Sequence, residues 1–311
     1  MSEYDVAVIG GGAAGLSAAL VLTRARRAVV VVDAGEPRNA PAAHMQGFLS
    51  RDGMPPAELV SAGRAEVAGY GGRLLDGTVV DVTVRGAGGF ELKVSDGSSV
   101  SARRVLVTTG LRDELPDLPG VRERWGRDLL HCPYCHGHEV RDQRIGVLGG
   151  TPDAVQHALL LRQWSGDVVF FAHTGTLTPA DREQLVARAV GIVEGAVAQL
   201  VVHDDRLQGV ELDDGRIIHR DAIFIRPPAI PRSDLLTRLG CASNESGWVI
   251  ADPTGRTTVS GVWVAGNAVN PRAQVITAAG EGSAAAIAIN ADLVDEDVRT
   301  AVHDFRAGLP A

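Results

Sequence analysis

Cys132 and Cys135 lie two residues apart in the run His131-Cys-Pro-Tyr-Cys-His-Gly-His138, near the middle of a chain of 311 residues. A pair at this spacing can close a disulfide or hold a metal, and the flanking histidines exchange protons near neutral pH. Pro133 suits the first position of a helix with Cys132 as its cap. A thiol so placed ionises more readily than free cysteine, in a range of about 3.5–7.5 against ~8.5. The chemistry this permits is thiol–disulfide exchange. A base takes the proton of a substrate thiol, the thiolate attacks Cys132, and a second thiol resolves the mixed disulfide. His131 and His136 are both candidates for the base. His138 reads as a helix-surface residue and Cys241 as a helix-terminal cysteine outside the pair.

Two glycine-rich segments flank this run. The apolar stretch Tyr4 to Ile9 reads as a buried parallel strand, followed by Gly10-Gly-Gly12-Ala13-Ala14-Gly15 and a helix from Leu16 to about Arg24. A second strand, Ala28 to Val32, ends in Asp33. Strand, G-x-G-x-x-G, helix, strand and acid form a dinucleotide-binding unit. Gly10 permits the tight turn, Gly12 lets the backbone approach a pyrophosphate, and Gly15 lets helix and strand pack closely. The helix N-terminus favours phosphate charge, and Asp33 is placed for ribose hydroxyls. The strand beginning at Val105 ends in Thr109 and Gly110, small residues that suit contact with a dinucleotide.

The second segment is damaged. Arg144 to Leu148 reads as a strand, then Gly149-Gly150-Thr151-Pro152, a helix to about Trp164 and a strand from Asp167 to Ala172. Thr151 stands where a glycine should approach the pyrophosphate. The second strand ends in His173-Thr-Gly-Thr176, with neither an acid for a ribose hydroxyl nor an arginine cluster for a 2'-phosphate. This unit therefore reads as structural.

Elsewhere, Gly35 to Pro56 is loop-like, with Asn39, His44 and Asp52. Glu58 to Val67 reads as a helix, and Gly77 to Arg85 and Phe90 to Val94 as antiparallel strands. Strands at 196–212 and 216–225 follow, joined by the Asp213-Asp-Gly215 turn, then a proline-rich return at 226–231. Trp248 to Ile250 and Val262 to Ala265 read as short strands, and Gln274 to Val294 as a long Ala- and Gly-rich helix. The fold class is α/β, with two Rossmann-like three-layer domains, the second inserted into the first. Residues 1–112 and 236–311 form one domain and 113–235 the other.

Hydrophobic content is 45% and net charge is -8. No basic cluster marks a nucleic-acid surface, and no apolar run is long enough to span a bilayer. The start of the chain has no basic region or cleavage site, so a cytoplasmic protein is expected. Three cysteines in so long a chain suit that reducing compartment, where a C-x-x-C pair is catalytic or metal-binding. No second pair of metal ligands accompanies Cys132 and Cys135, so no metal is expected. A glutaredoxin-like centre would follow the first strand of a small domain, which this one does not.

Together these residues resemble the low-molecular-weight thioredoxin reductases over nearly the whole chain. The resemblance implies FAD on the first unit, with Ala265-Gly266-Asn267-Ala268 and Arg272 to Val275, including Gln274, along its ribityl chain and ring. Asn267 stands where those enzymes carry aspartate. The broken nucleotide motif at Thr151 and His173 to Thr176, His136 in place of an acid, and the pair Asn39-Ala40 narrow the likeness. They resemble the FAD-dependent dithiol oxidases of gliotoxin- and holomycin-type pathways. That resemblance implies closure of a disulfide in a small dithiol, with oxygen as acceptor and no nicotinamide. It also implies Cys135 facing the flavin, Asn39 orienting the histidine base, and a homodimer. A thioredoxin reductase-like enzyme fed by ferredoxin, or less readily by NADPH, is the alternative.

Overall fold

The apolar runs form the centres of two parallel sheets, one in each of two units, in a computed structural model that describes residues 3–86 and 88–308. The first unit comprises Met1–Ala40, Pro56–Arg112 and Ile230–Ala311, and the second Pro41–Pro55 and Asp113–Ala229. The chain therefore returns to the first unit at Ile230, before the expected position 236. The short segment Pro41–Pro55, which carries no periodicity to place it, belongs with the second unit.

In the first unit, Tyr4–Ile9 lies between Val29–Asp33 and Ser99–Val107, all parallel. Arg73–Asp76 extends one edge. Val262–Val264 joins Ser99–Val107 in parallel, and Phe90–Val94 and Val79–Val84 add antiparallel strands. Alternate residues of each central strand face opposite cores. Val6 and Val8 pack under the helices Ala13–Arg24 and Val275–Arg306, while Ala7 and Ile9 pack with Phe90, Leu92 and Leu236. Burial on both faces is why these strands read as continuous apolar runs.

In the second unit, Ile145–Leu148 is flanked by Val168–Phe171 and Ala222–Phe224, with Gly191–Val193 and Leu129–Leu130 at the edges. All these pairings are parallel. One face packs on the helices Ala154–Leu161 and Pro179–Ala187. The other packs on a three-stranded antiparallel sheet through Leu200, Leu207 and Val210.

Several elements differ from expectation. The first helix begins at Ala13, because Gly15 belongs to its first turn. The expected strand 196–212 is a hairpin of Val197–His203 and Arg206–Leu212. Asp204 and Asp205 turn it at φ 49° and 56°, a conformation aspartate tolerates. The expected strand 216–225 divides into Ile217–His219 and Ala222–Phe224, in different sheets. The break is at Asp221, whose carboxylate accepts from the Arg144 main-chain N–H and guanidinium. Near Trp248 only an isolated bridge, Ser243 to Val249, forms. The last helix runs on from Val294 to Arg306, anchored by Glu296 and Asp297 on Arg103 at 2.9 and 2.5 Å.

Candidate active site

Cys132 and Cys135 are joined in a disulfide, with Cα atoms 5.2 Å apart. Cys132 caps the helix Pro133–His136, and Pro133 holds its first position. The strand Leu129–Leu130 pairs with Ala222–Phe224 and delivers the chain to this turn. The helix is a single turn, so its dipole adds only a fraction of the ~0.5 charge that a longer helix presents.

His136 follows the second cysteine directly and is half-buried. Its Nδ1 is enclosed and has no hydrogen-bond partner. Burial holds its pKa below that of free histidine, opposed by the charge of Glu139. His136 is therefore a neutral imidazole at neutral pH, the state a base requires. His131, before the first cysteine, has Nδ1 3.4 Å from the Ile225 carbonyl and its ring 6.5 Å from that of Trp125. His138 is exposed in the turn that follows the helix. Asn39 is half-buried in a turn closed by Ala40 N–H to the Pro37 carbonyl. It belongs to the first unit, and both histidines to the second.

The first glycine loop forms a cradle. Gly10 has φ 103°, and a Cβ there would fall 2.6 Å from the Thr108 carbonyl oxygen. A Cβ on Gly15 would fall 1.9 Å from the Gly10 oxygen, so only glycine lets helix and loop meet. At Gly12, by contrast, a Cβ would meet nothing within 4 Å. The space over Gly12 is open, and it caps the helix Ala13–Arg24 without a side-chain bond. Ala13 and Ala14 add no bulk in the first turn. Open backbone N–H groups at a helix N-terminus are what a pyrophosphate needs, so these residues fit FAD. Asp33 has a part beyond the one the sequence suggested: its Oδ1 accepts from the Gly11 N–H at 2.9 Å, fixing the loop.

Thr109 donates to the Arg232 carbonyl at 2.7 Å, with Gly110 beside it at φ 72°. Its buried neighbour Thr108, which sequence reasoning passed over, donates to the Ile9 and Gly10 carbonyls and holds the loop. Gly266, Asn267 and Ala268 form a short 3-10 turn, and Gln274 caps the last helix ahead of Val275. Asn267 Nδ2 donates to the carbonyls of Asn270 and Ala273 at 2.9 and 3.1 Å. An aspartate carboxylate could make neither bond. The amide therefore clips the loop that leads into the last helix, and its Oδ1 accepts from Arg38 at 3.5 Å. Glu281, also missed, accepts from Gly266 N–H at 2.9 Å and from Asn270 at 2.7 Å. Its signal was an acid in the Ala- and Gly-rich first turns of the helix.

The second glycine loop is as crowded at its first two glycines as the first loop is at Gly10 and Gly11. A Cβ on Gly149 would fall 2.7 Å from the Ala172 oxygen, and one on Gly150 would fall 2.5 Å from the Thr174 hydroxyl. The left-handed residue here is Gly150, at φ 94°, and Ala154 stands where the first loop has Gly15. The hydroxyl of Thr151, in the place of Gly12, is buried without a partner. His173 turns inward, its Nδ1 accepting from Val197 N–H at 3.0 Å. At the place of the open Gly12 the second loop thus carries a buried side-chain hydroxyl.

Cys241 is buried, its thiol 3.5 Å from the Thr257 hydroxyl, and burial pushes its pKa up. It is an unreactive core thiol. Among the described residues no helix is long and apolar enough to cross a membrane.

The family of pyridine nucleotide-disulphide oxidoreductases matches residues 4–282. Thioredoxin reductase tcpT of Claviceps purpurea is 30% identical over 279 residues, covering 85% of this chain and 86% of that protein. Thioredoxin reductase sirT of Leptosphaeria maculans is 30% identical over 315 residues, covering 96% of each. The crystal structure of HlmI superposes with a TM-score of 0.95 at 59% identity, covering 97% of this chain and 96% of that one. The open first cradle, the disulfide at Cys132 and Cys135 and these likenesses agree: the chain belongs to the pyridine nucleotide-disulphide oxidoreductase family, as a thioredoxin reductase-like, FAD-binding disulfide oxidoreductase.

Proposed function

We propose that this oxidoreductase is a dithiol oxidase, closing a disulfide in a small dithiol and passing the electrons to oxygen. The observation that carries the reading is the contrast between the two glycine loops. The first is open at Gly12, while the second carries at that place Thr151, whose hydroxyl is buried. An enzyme whose second loop does not hold a nicotinamide dinucleotide draws its electrons from the thiol side and releases them elsewhere.

The disulfide is the oxidant of the thiol step. His136, neutral through burial, takes the proton of one substrate thiol. Its enclosed Nδ1 leaves Nε2 as the nitrogen that meets substrate. The thiolate attacks Cys132, the Cys132–Cys135 bond breaks, and Cys135 departs as a thiolate. The second substrate thiol gives its proton to the Cys135 thiolate and attacks the substrate sulfur of the mixed disulfide. The product disulfide closes and Cys132 is released. Two protons and two electrons have then left the substrate, and both cysteines are reduced. FAD, when bound, supplies a two-electron acceptor for that dithiol and a donor to oxygen, which leaves as hydrogen peroxide. Asn39 is proposed to orient the histidine base, with His131 the alternative to His136.

Small, sulfur-rich metabolites are the proposed substrates and the cytosol the proposed compartment. A homodimer is proposed as the working form. It is supported by an exposed apolar seam on the last helix, Ile287, Val294, Val298, Val302 and Phe305, at the spacing of one helix face. The relatives bear the name thioredoxin reductase, which favours a second reading, a disulfide reductase; with Thr151 in the second loop its donor would be ferredoxin, or less readily NADPH.

The test follows flavin absorbance at about 450 nm without oxygen. Bleaching by a small dithiol but not by NADPH or NADH, with colour and peroxide returning in air, is expected. Rapid bleaching by NADPH would overturn the proposal, and bleaching by reduced ferredoxin alone would favour the second reading. Cys132→Ser and Cys135→Ser are expected to stay yellow and lose turnover; full activity in either would refute the exchange mechanism.

A further inference from the structure

Tyr134 lies between the two reactive cysteines, and 65% of its surface is exposed. It is nevertheless held in place. Its ring meets Trp164 edge to face, with centroids 5.8 Å apart and planes at 86°. Trp164 is seated against the reactive turn, because a Cβ on Gly137 would fall 2.8 Å from its Cδ2. Any residue but glycine at 137 would push the indole away and remove the support of Tyr134. Pro133, buried at the first helical position, fixes the start of the turn. A large aromatic side chain is thus braced on one side and open on the other, next to Cys135 and two residues from Cys132.

We propose that Tyr134, backed by Trp164, is a stacking platform that selects small dithiols with a planar, unsaturated body for the Cys132–Cys135 centre. The inference rests on the dithiol oxidase reading. A thiolate can attack Cys132 only from within bonding distance, so the body that carries it must lie alongside the neighbouring side chains. A flat conjugated body can offset-stack on the exposed face of the phenol ring. The contact with Trp164 favours one position of the ring, so less further order is imposed on binding. A saturated dithiol gains no such contact. The thiols of a protein would bring peptide and not a flat π-surface against the ring. The chemical step is unchanged: the two S–H groups of the substrate become one S–S bond as the enzyme disulfide becomes two thiols.

The test compares 1,2-benzenedimethanethiol with dithiothreitol, both of which close to six-membered cyclic disulfides. The variants are Tyr134→Phe, Tyr134→Leu and Tyr134→Ala, each with its melting temperature checked. The wild type is expected to favour the aromatic dithiol in kcat/KM, and the Phe variant to keep that preference. The Leu and Ala variants are expected to lose about two- to tenfold of it, the size of one aromatic contact, chiefly through KM. An equal loss for both dithiols, or a preference that survives in Ala, would overturn the platform. Oxidation of neither dithiol by the wild type would instead sink the oxidase reading. Equilibrium binding of the aromatic cyclic disulfide then decides the platform alone: tighter binding to wild type than to Tyr134→Ala supports it, and equal binding refutes it.

Discussion

Gly282 rests on the backbone of Ala14 so closely that a Cβ at 282 would fall 2.0 Å from the Ala14 carbonyl oxygen and 2.7 Å from its carbon. The helix near the end of the chain thereby touches the first turn of the helix near its start. Gly266 crowds the same residue, where a Cβ would fall 3.0 Å from the Ala14 side chain. Ala14 lies two residues beyond Gly12, so this approach positions the cradle from outside the cradle's own motif.

Gly282→Ala is expected to push the two helices apart. Overpacking of this kind costs about 1–3 kcal/mol. A lower melting temperature and earlier flavin release on heating would follow. Unchanged melting would show that the approach is not needed for stability.

Gly12→Leu tests the opposite case. Its side chain would enter open space, so the fold should survive while the cofactor is shut out. The expected protein is colourless with a normal far-ultraviolet spectrum. A stable yellow variant would place the phosphates elsewhere.

His136 sets the acid limit of the thiol step. Burial lowers its pKa, so the ring stays neutral to below ~6.5, the value of a free histidine. The fall of kcat/KM with acid should therefore begin below that point. His136→Gln should remove this limb and lower kcat/KM about 10²–10⁴-fold. An acid limb that persists in the variant would move the role to His131.

His157 links pH to stability. It is buried beside Phe224, with rings 5.8 Å apart, and neither ring nitrogen has a partner. Burial first, then the charges of Arg226 and His131, lower its pKa to about 3. The unfolded chain takes up this proton near pH ~6.5 and the folded one does not. Its contribution is therefore full above that pH and is lost as pH falls toward the folded value. Between pH 7 and pH 5 the loss is about 2 kcal/mol. His157→Leu should flatten urea-derived stability over that range; an undiminished slope would assign the dependence to other groups.

The apolar seam of the last helix should carry the dimer. Val298, 54% exposed, sits within it, and Val298→Glu should give a monomer in light scattering. A wild type that is itself monomeric, or a variant that stays dimeric, would remove that role.

The parts of the site that were legible depend on backbone constraint. Gly10 and Gly15 announce themselves because no other residue fits their turn and close approach, Gly12 because it leaves the space over the helix start open, and Pro133 marks a helix start by its fixed φ. Damage at Thr151 is legible for the same reason. Roles that arise from tertiary contact were not. Nothing near Asp33 says that it would hold Gly11, and nothing near Asn267 says that its amide would meet Ala273. Asp204 and Asp205 hid a hairpin turn because aspartate adopts positive φ without the glycine that usually signals it. The last helix outran its expected end because Glu296 and Asp297, just beyond Val294, are paired with Arg103 and Arg104.

The order of assembly follows from how the chain divides. The strand Val262–Val264 completes a sheet whose other members all lie before residue 108. The contiguous stretch Asp113–Ala229 leaves the ribosome between them. Until that stretch has emerged, the strand Ser99–Val107 lacks its last neighbour, and Ala14 lacks Gly282. The first unit is thus the earlier to begin and the later to finish. A nascent chain stalled before residue 262 would hold an incomplete flavin fold, so cofactor capture is tied to the end of synthesis.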